Sequence, residues 1–302
     1  MALRRGLARW LVRNVIRPGL APALAVRQRR RRMDLAAHLL PLPRGVRCLP
    51  AGEENPGGVW WLPRGVGRDA PEGAVLYIHG GGFMLGSPAS HRGVAARLAR
   101  CTGLPVLAAR YRRAPEHPYP AGLEDLKDTW RRLTQGAARP IALAGDSAGG
   151  WLVLALAQYA AAAGLARPSG AALFSPLVDL ASAEQVAAEA ADLMLPPAFI
   201  VESVGAWRGG IPASDPRLDL LGAPLGGLPP LFISYDRDEV LAGDARRLAE
   251  AACQAGVQVR VEEGQGLWHI WPVMAGLLPE ADVTLRNAAA LLTPGVVRGP
   301  SA

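Results

Sequence analysis

Short apolar runs alternate with amphipathic stretches along most of this 302-residue chain. Ala74–Ile78, Pro105–Ala109, Ile141–Gly145, Ala171–Ser175 and Pro230–Ser234 are almost continuously apolar and read as strands buried on both faces. Val257–Val261 alternates apolar with polar residues, the pattern of a strand near a sheet edge. Val46–Leu49 and Gly58–Leu62, set in Pro/Gly-punctuated sequence, predict short strands that open the sheet antiparallel. Between the strands the period becomes helical. Ser90–Cys101 places Val94, Leu98 and Cys101 on one face, and Leu123–Leu133 does the same with Leu126, Trp130 and Leu133. Gly150–Ala163, Ala242–Ala255 and Ala281–Leu292 complete the helices. The alternation predicts an α/β fold: a mostly parallel, eight-stranded sheet with helices on both faces. Sites in such sheets form at the carboxyl ends of the strands.

Two regions break the pattern. From Leu180 to Pro229 no sheet layer is legible. Ala183–Leu193 reads as a helix, and Pro196-Pro197 starts another through Phe199, Ile200, Val204 and Trp207. This is the pattern of an insertion lying over the sheet. The other region is the N-terminus, where Leu3, Leu7, Trp10, Leu11, Val15 and Ile16 recur at helical spacing among arginines. Residues 1–45 and the insertion together predict a cap.

Charge sharpens the picture of the N-terminus. The formal charge of +7 is local: residues 1–33 carry ten arginines and no acid, and the remainder nets −3. The favoured reading is a helix packed over the main domain with its arginines in water. The alternative lays a basic amphipathic helix on an anionic membrane surface. The run Arg29-Arg30-Arg31-Arg32 has no nucleic-acid reading motif beside it, so no nucleic-acid partner is expected. Cys48, Cys101 and Cys253 lack metal-like spacing and predict buried thiols without disulfides. No stretch of about 20 apolar residues predicts a membrane span, and prolines and arginines interrupt any leader-like run. The expectation is a cytoplasmic protein, with membrane association as the variant.

The chemistry centres on Gly145-Asp146-Ser147-Ala148-Gly149, between a predicted strand and a predicted helix. Strand, Gly-flanked turn and helix turn a G-x-S-x-G sequence into a nucleophile elbow, with the serine at the positive end of a helix. A serine hydroxyl needs a base, and the base needs an orienting acid. At such an elbow both partners follow the serine, acid before histidine. Of five histidines only His269 lies after Ser147. The acid belongs just after Leu231–Ser234, where Asp236, Asp238 and Glu239 compete. Asp236 also suits a turn and Glu239 the first turn of a helix, and pattern alone does not choose. His79-Gly80-Gly81-Gly82 ends an earlier strand. Its glycine N–H groups can approach a developing oxyanion without side-chain obstruction, joined by the N–H of Ala148.

These blocks resemble the hormone-sensitive-lipase-like, or bacterial type IV, esterases of the α/β-hydrolase fold. The match is carried by His79–Phe83 with Gly86-Ser87-Pro88, Tyr111–Pro118, Gly145–Gly150, and Asp238–Leu241 with Trp268-His269, in family order over about residues 40–295. The resemblance implies a helical cap segment at 1–45 and a catalytic domain at 46–302 with a cap insertion at about 180–213. It implies a catalytic triad of Ser147, His269 and Asp238, and oxyanion donors at Gly81, Gly82 and Ala148. It gives the Tyr111–Pro118 block an architectural role and makes His79 an organiser of the glycine loop. Arg113 stands where the family commonly has leucine. The implied reaction is hydrolysis of short-to-medium acyl esters through an acyl-enzyme, with no metal or organic cofactor. Phe83, Met194, Leu195, Phe199, Trp207 and Trp268 are expected to line the pocket. The same machinery serves a lactone, an amide or an N-acetyl group. A non-catalytic small-ligand receptor on this fold is the reading from a different class, and relatives of that kind replace the histidine kept here as His269. The expected partner is a small ester, and the chain is expected to be a monomer or homodimer.

Overall fold

The computed structural model describes residues 2–136, 139–181 and 192–293. Eight strands form one sheet: β1 (Val46–Pro50), β2 (Val59–Pro63), β3 (Ala74–Ile78), β4 (Val106–Ala108), β5 (Ile141–Asp146), β6 (Ala171–Phe174), β7 (Leu231–Asp236) and β8 (Val259–Gly264). Their order is β1-β2-β4-β3-β5-β6-β7-β8. β1, β2 and β4 pair antiparallel, and every other pair is parallel. The predicted α/β sheet is therefore present, with its antiparallel start and with β8 at the edge. All residues of β3 and β5 are buried, as their unbroken apolar runs require.

Strand order reverses around β3, which lies between β4 and β5, so the chain leaves β3 and β5 toward opposite sides of the sheet. A crevice opens at such a switch point. The register Ile78↔Gly145 brings the glycine loop after β3 beside the turn after β5. From that turn runs the central helix α5 (Ala148–Ala162), after α1 (Ala2–Leu11), α2 (Val26–Ala36), α3 (Arg92–Thr102) and α4 (Ala121–Thr134). Residues 148–157 of α5 are all buried, so this helix needs no polar face. It is pressed against β3: a Cβ on Gly149 would lie 2.2 Å from the Ile78 carbonyl oxygen. Among the described residues three further helices follow: α6 (Pro197–Arg208), α7 (Ala242–Gln254) and α8 (Pro279–Leu292). The predicted helix at Ala183–Leu193 falls mostly outside the described residues. Among the described residues no helix is long and apolar enough to cross a membrane.

Two expectations are corrected here. Cys48 and Cys253 are exposed and Cys101 is half-buried. Cys48 sits on the outer strand β1, which is largely exposed, and Cys253 on the outer side of the last turn of α7. The N-terminal arginines are also not simply solvated. α1 continues through a π-helical stretch, Val12–Ile16, and a short turn, Arg17–Gly19. From this segment Arg5 donates to the Gln265 carbonyl at 2.6 Å, Arg9 to the Gly266 carbonyl at 3.2 Å, and Arg17 to the Asp192 carbonyl. On α2, Arg30 donates to the carbonyls of Met84 (2.8 Å) and Ala114 (2.7 Å) and pairs with Glu116. Arg29 is buried and forms a two-pronged pair with Glu202 of α6 at 2.5 and 2.6 Å. Guanidinium suits this task, because its five donors satisfy several oxygens from one side chain.

A buried guanidinium deprived of its carboxylate is costly. Glu202→Ala is expected to destabilise the fold by about 3 kcal/mol, read as a lower urea midpoint with an unchanged slope.

Candidate active site

The turn after β5 places Ser147 at φ 53°, ψ −123°. That backbone region is costly for a residue with a side chain and persists only where the surroundings enforce it. Here they do. The Ser147 N–H donates to the Phe174 carbonyl at 2.9 Å, and its carbonyl accepts from Gly150 (2.9 Å) and Leu177 (3.0 Å). The serine precedes α5 without its hydroxyl capping the helix, so that oxygen is not committed to the backbone. Among the described residues three more non-glycine residues have positive φ: Phe83 (56°), Ser175 (48°) and Ile270 (49°). Each belongs to a loop that borders the elbow or the histidine.

His269 is buried in the loop after β8. Its Nδ1 lies 3.1 Å from Glu239 Oε1, and its buried Nε2 has no hydrogen-bond partner among the described residues. The acid expected from the family block, Asp238, is not the one that meets the histidine. Asp238 is exposed in the turn after β7, whereas the Glu239 side chain is completely buried. The turn is closed by the Glu239 N–H on the Asp236 carbonyl at 3.2 Å, so adjacent residues point to opposite sides, 238 to water and 239 inward. Glu239 Oε2 also accepts from the Ser175 hydroxyl (2.8 Å) and the Asp236 N–H (3.0 Å), and the Ser175 oxygen accepts from the Ile270 N–H (2.9 Å). Asp236 is the turn-former. Its Oδ1 accepts from the Asp238 N–H at 3.2 Å and its Oδ2 from the Leu267 N–H at 2.8 Å, which ties the turn to the histidine loop.

Burial alone pulls the His269 imidazole down. The hydrogen bond and charge of Glu239, helped by Asp192 and Asp146, outweigh it and hold its pKa above the usual imidazole value. Sequence reasoning missed Asp192, which is buried. It accepts from the N–H groups of Met194 (2.6 Å), Leu195 (2.9 Å) and Val240 (3.3 Å), joining the insertion to the acid's turn.

The glycine loop stands beside the elbow. Gly81 has φ 103° and Gly82 φ 61°, values that L side chains rarely adopt. Among the described residues the N–H groups of Gly81, Gly82 and Ala148 make no hydrogen bond, while the Gly80 N–H is taken by Asp146 Oδ1 at 3.1 Å. His79 stacks on Tyr111 (centroids 4.5 Å apart), whose hydroxyl donates to the His79 carbonyl at 2.8 Å. Burial and the neighbouring charge of His91 push the His79 pKa down to about 3, so it is neutral. Arg113, in place of the family's leucine, donates to the Gly86 carbonyl.

Asp146, adjacent to Ser147, is also buried. Its Oδ1 accepts from the Tyr77 hydroxyl at 2.5 Å, and its Oδ2 lies 3.3 Å from His91 Nε2, close but not aligned as a hydrogen bond. Burial disfavours both charges. Their mutual attraction prevails, holding the His91 pKa above and the Asp146 pKa below its usual value, which favours the charged form of each.

A cavity of ≈ 70 Å³ lies under the N-terminal segment. Its walls are mostly apolar, including Leu11, Val15, Leu40, Met194 and Val273, and it abuts the site at His91 and Ile270. Of the six residues expected to line a pocket, Met194 lines this cavity. Phe83 instead stacks on Trp207 (4.1 Å) with Trp151 edge-on, and Phe199 packs over Gly82. Leu195 and Trp268 are buried away from the cavity wall. Large apolar residues in an insertion are as apt to fasten it down as to face a ligand. Among the described residues no group of three or more His, Cys, Asp and Glu side chains gathers as metal ligands do.

Residues 75–273 match the model of an α/β-hydrolase-fold family. An acetyl-hydrolase of Streptomyces hygroscopicus is 37% identical over 74% of this chain and 77% of its own length. An esterase of Mycobacterium tuberculosis, LipI, is 32% identical over 88% and 87%. A crystal structure of an esterase from the bacterial hormone-sensitive lipase family superposes with a TM-score of 0.86 at 29% identity, covering 96% of this chain and 99% of that one. The chain belongs to the α/β-hydrolase family, within the hormone-sensitive-lipase group of carboxylic ester hydrolases.

The two acids can be told apart by substitution. Glu239→Gln is expected to lower kcat by about a hundredfold or more, and Asp238→Asn to leave it within about twofold. The pH profile gives a second reading. With His269 as the base, kcat/KM is expected to fall on the acid side as the imidazole gains its proton, and the raised pKa places that fall above the ordinary value of 6.5. Glu239→Gln removes what raises it and is expected to move the fall to lower pH.

Proposed function

We propose that Ser147, His269 and Glu239 act as a catalytic triad hydrolysing short-to-medium acyl esters. The observation that carries the reading is the buried His269–Glu239 pair, joined through Ser175 to the segment that also holds the strained Ser147 backbone. Ser147 Oγ attacks the ester carbonyl as His269 Nε2 takes its proton, and Glu239 orients the imidazole and stabilises its charged form. The unspent N–H groups of Gly81, Gly82 and Ala148 receive the oxyanion, each worth about 3–4 kcal/mol in the transition state. His269 then protonates the departing alcohol, and water repeats the cycle on the acyl-enzyme. Residues 1–45 and about 180–213 act as a cap over this centre. The small apolar cavity beside it favours a short acyl group, and the acetyl-hydrolase name of the Streptomyces relative points the same way.

The test is hydrolysis of a p-nitrophenyl ester series from acetate to palmitate. Short chains should be preferred, and Ser147→Ala should lose at least about a thousandfold in kcat. Absence of activity at every chain length in folded wild-type protein would redirect the proposal to amides, lactones or binding without turnover. Met194→Ala enlarges the cavity and is expected to shift the preferred acyl chain toward greater length.

A further inference from the structure

The N-terminal helix has two opposed faces, and the fold uses one of them. With 3.6 residues per turn, Ala8 and Val12 share a face and are fully buried, with Arg5 and Arg9 reaching the histidine loop beside them. Leu3, Leu7 and Trp10 share the opposite face and are 88%, 49% and 56% exposed. A helix packed on a globular domain ordinarily turns polar residues to water, whereas this outward stripe is apolar. Arg4 and Arg13 stand on either side of it. Both are exposed and make no hydrogen bond or ion pair among the described residues. The next segment repeats the combination: Leu35 and Leu39 are 60% and 62% exposed and follow the exposed Arg31 and Arg32.

We propose that this surface seats the enzyme on an anionic phospholipid membrane. An apolar stripe flanked by cations matches the boundary between acyl chains and acidic headgroups. The segment has no acid before Asp34, while the rest of the chain nets −3, so the chain's cationic excess lies in this segment and favours turning it toward an acidic surface. A second copy of the chain on the same stripe would set unpaired arginines against one another. The geometry also joins the surface to the site. Leu39 and Arg32 line the cavity together with Leu11 and Val15, so the cavity reaches the surface where the membrane would lie.

The test is co-sedimentation of the full chain with phosphatidylcholine vesicles, with and without phosphatidylserine. Binding is expected to be at least about tenfold stronger to the acidic vesicles and to weaken as salt is raised. Leu3→Ser/Leu7→Ser/Trp10→Ser together should weaken it by at least about tenfold, and Arg4→Gln/Arg13→Gln should reduce its salt dependence. The triple variant should keep its hydrolysis of a water-soluble p-nitrophenyl ester, because none of the three side chains faces the core. Failure of the wild type to sediment, or equal sedimentation of wild type and triple variant, would overturn the proposal. Concentration-dependent dimerisation that the triple variant abolishes, without vesicle binding, would assign the stripe to a second copy instead.

Discussion

A carboxylate removed from water must find partners for both oxygens, and the arrangement around Glu239 follows from that demand. Its oxygens take the His269 ring, the Ser175 hydroxyl and the Asp236 N–H, so the ends of β6 and β7 and the loop after β8 converge on one side chain. Ser175 passes the constraint on by accepting from the Ile270 N–H. Two residues with positive φ, Ser175 and Ile270, flank this junction. Ile270 is β-branched and pays heavily for that backbone, so only a densely bonded neighbourhood keeps it there. The strain and the hydrogen bonds are two aspects of one device that fixes the histidine ring.

The sheet and the elbow were legible in the sequence because they rest on local signals. Ala74–Ile78 is a strand with the bounds its apolar run predicts, and Ile141 starts β5 as read, because burial on both faces leaves an unbroken hydrophobic signature. The elbow declared itself through glycines that a close approach makes obligatory, as at Gly149 against Ile78. His269 followed from chain order. The carboxylate that meets it did not, because Asp238 and Glu239 are neighbours in a turn and which one points inward depends on the turn's closing bond. The packing of the large apolar residues was hidden for a related reason. Phe83 and Trp207 have the composition of a ligand wall, yet they meet each other at 4.1 Å. Partners far apart in sequence leave no periodic trace.

The arginine-rich terminus illustrates the same limit from the side of charge. A tally of cations describes the field around a segment but not the work of each side chain. Arg29 is buried against Glu202, and Arg5, Arg9, Arg17 and Arg30 satisfy carbonyls at loop and helix ends. The carbonyls met by Arg17 and Arg30 are partly buried and need donors, and a long side chain with a branched donor group supplies them across a gap that backbone cannot bridge. Asp192 complements this as an acceptor, receiving N–H groups from both the insertion and the acid's turn.

The contacts of α1 also carry a chronology. Arg5 and Gln265 are 260 residues apart in sequence, and Arg9 and Gly266 are 257 apart. On the ribosome the first of each pair emerges long before the second. At about 5–20 residues per second, α1 waits many seconds without the surface it will cover. Its apolar face is then unprotected while the sheet assembles strand by strand. The loop carrying His269 follows β8 and is also what α1 grips, so α1 can gain these two contacts only after β8 and that loop have been made.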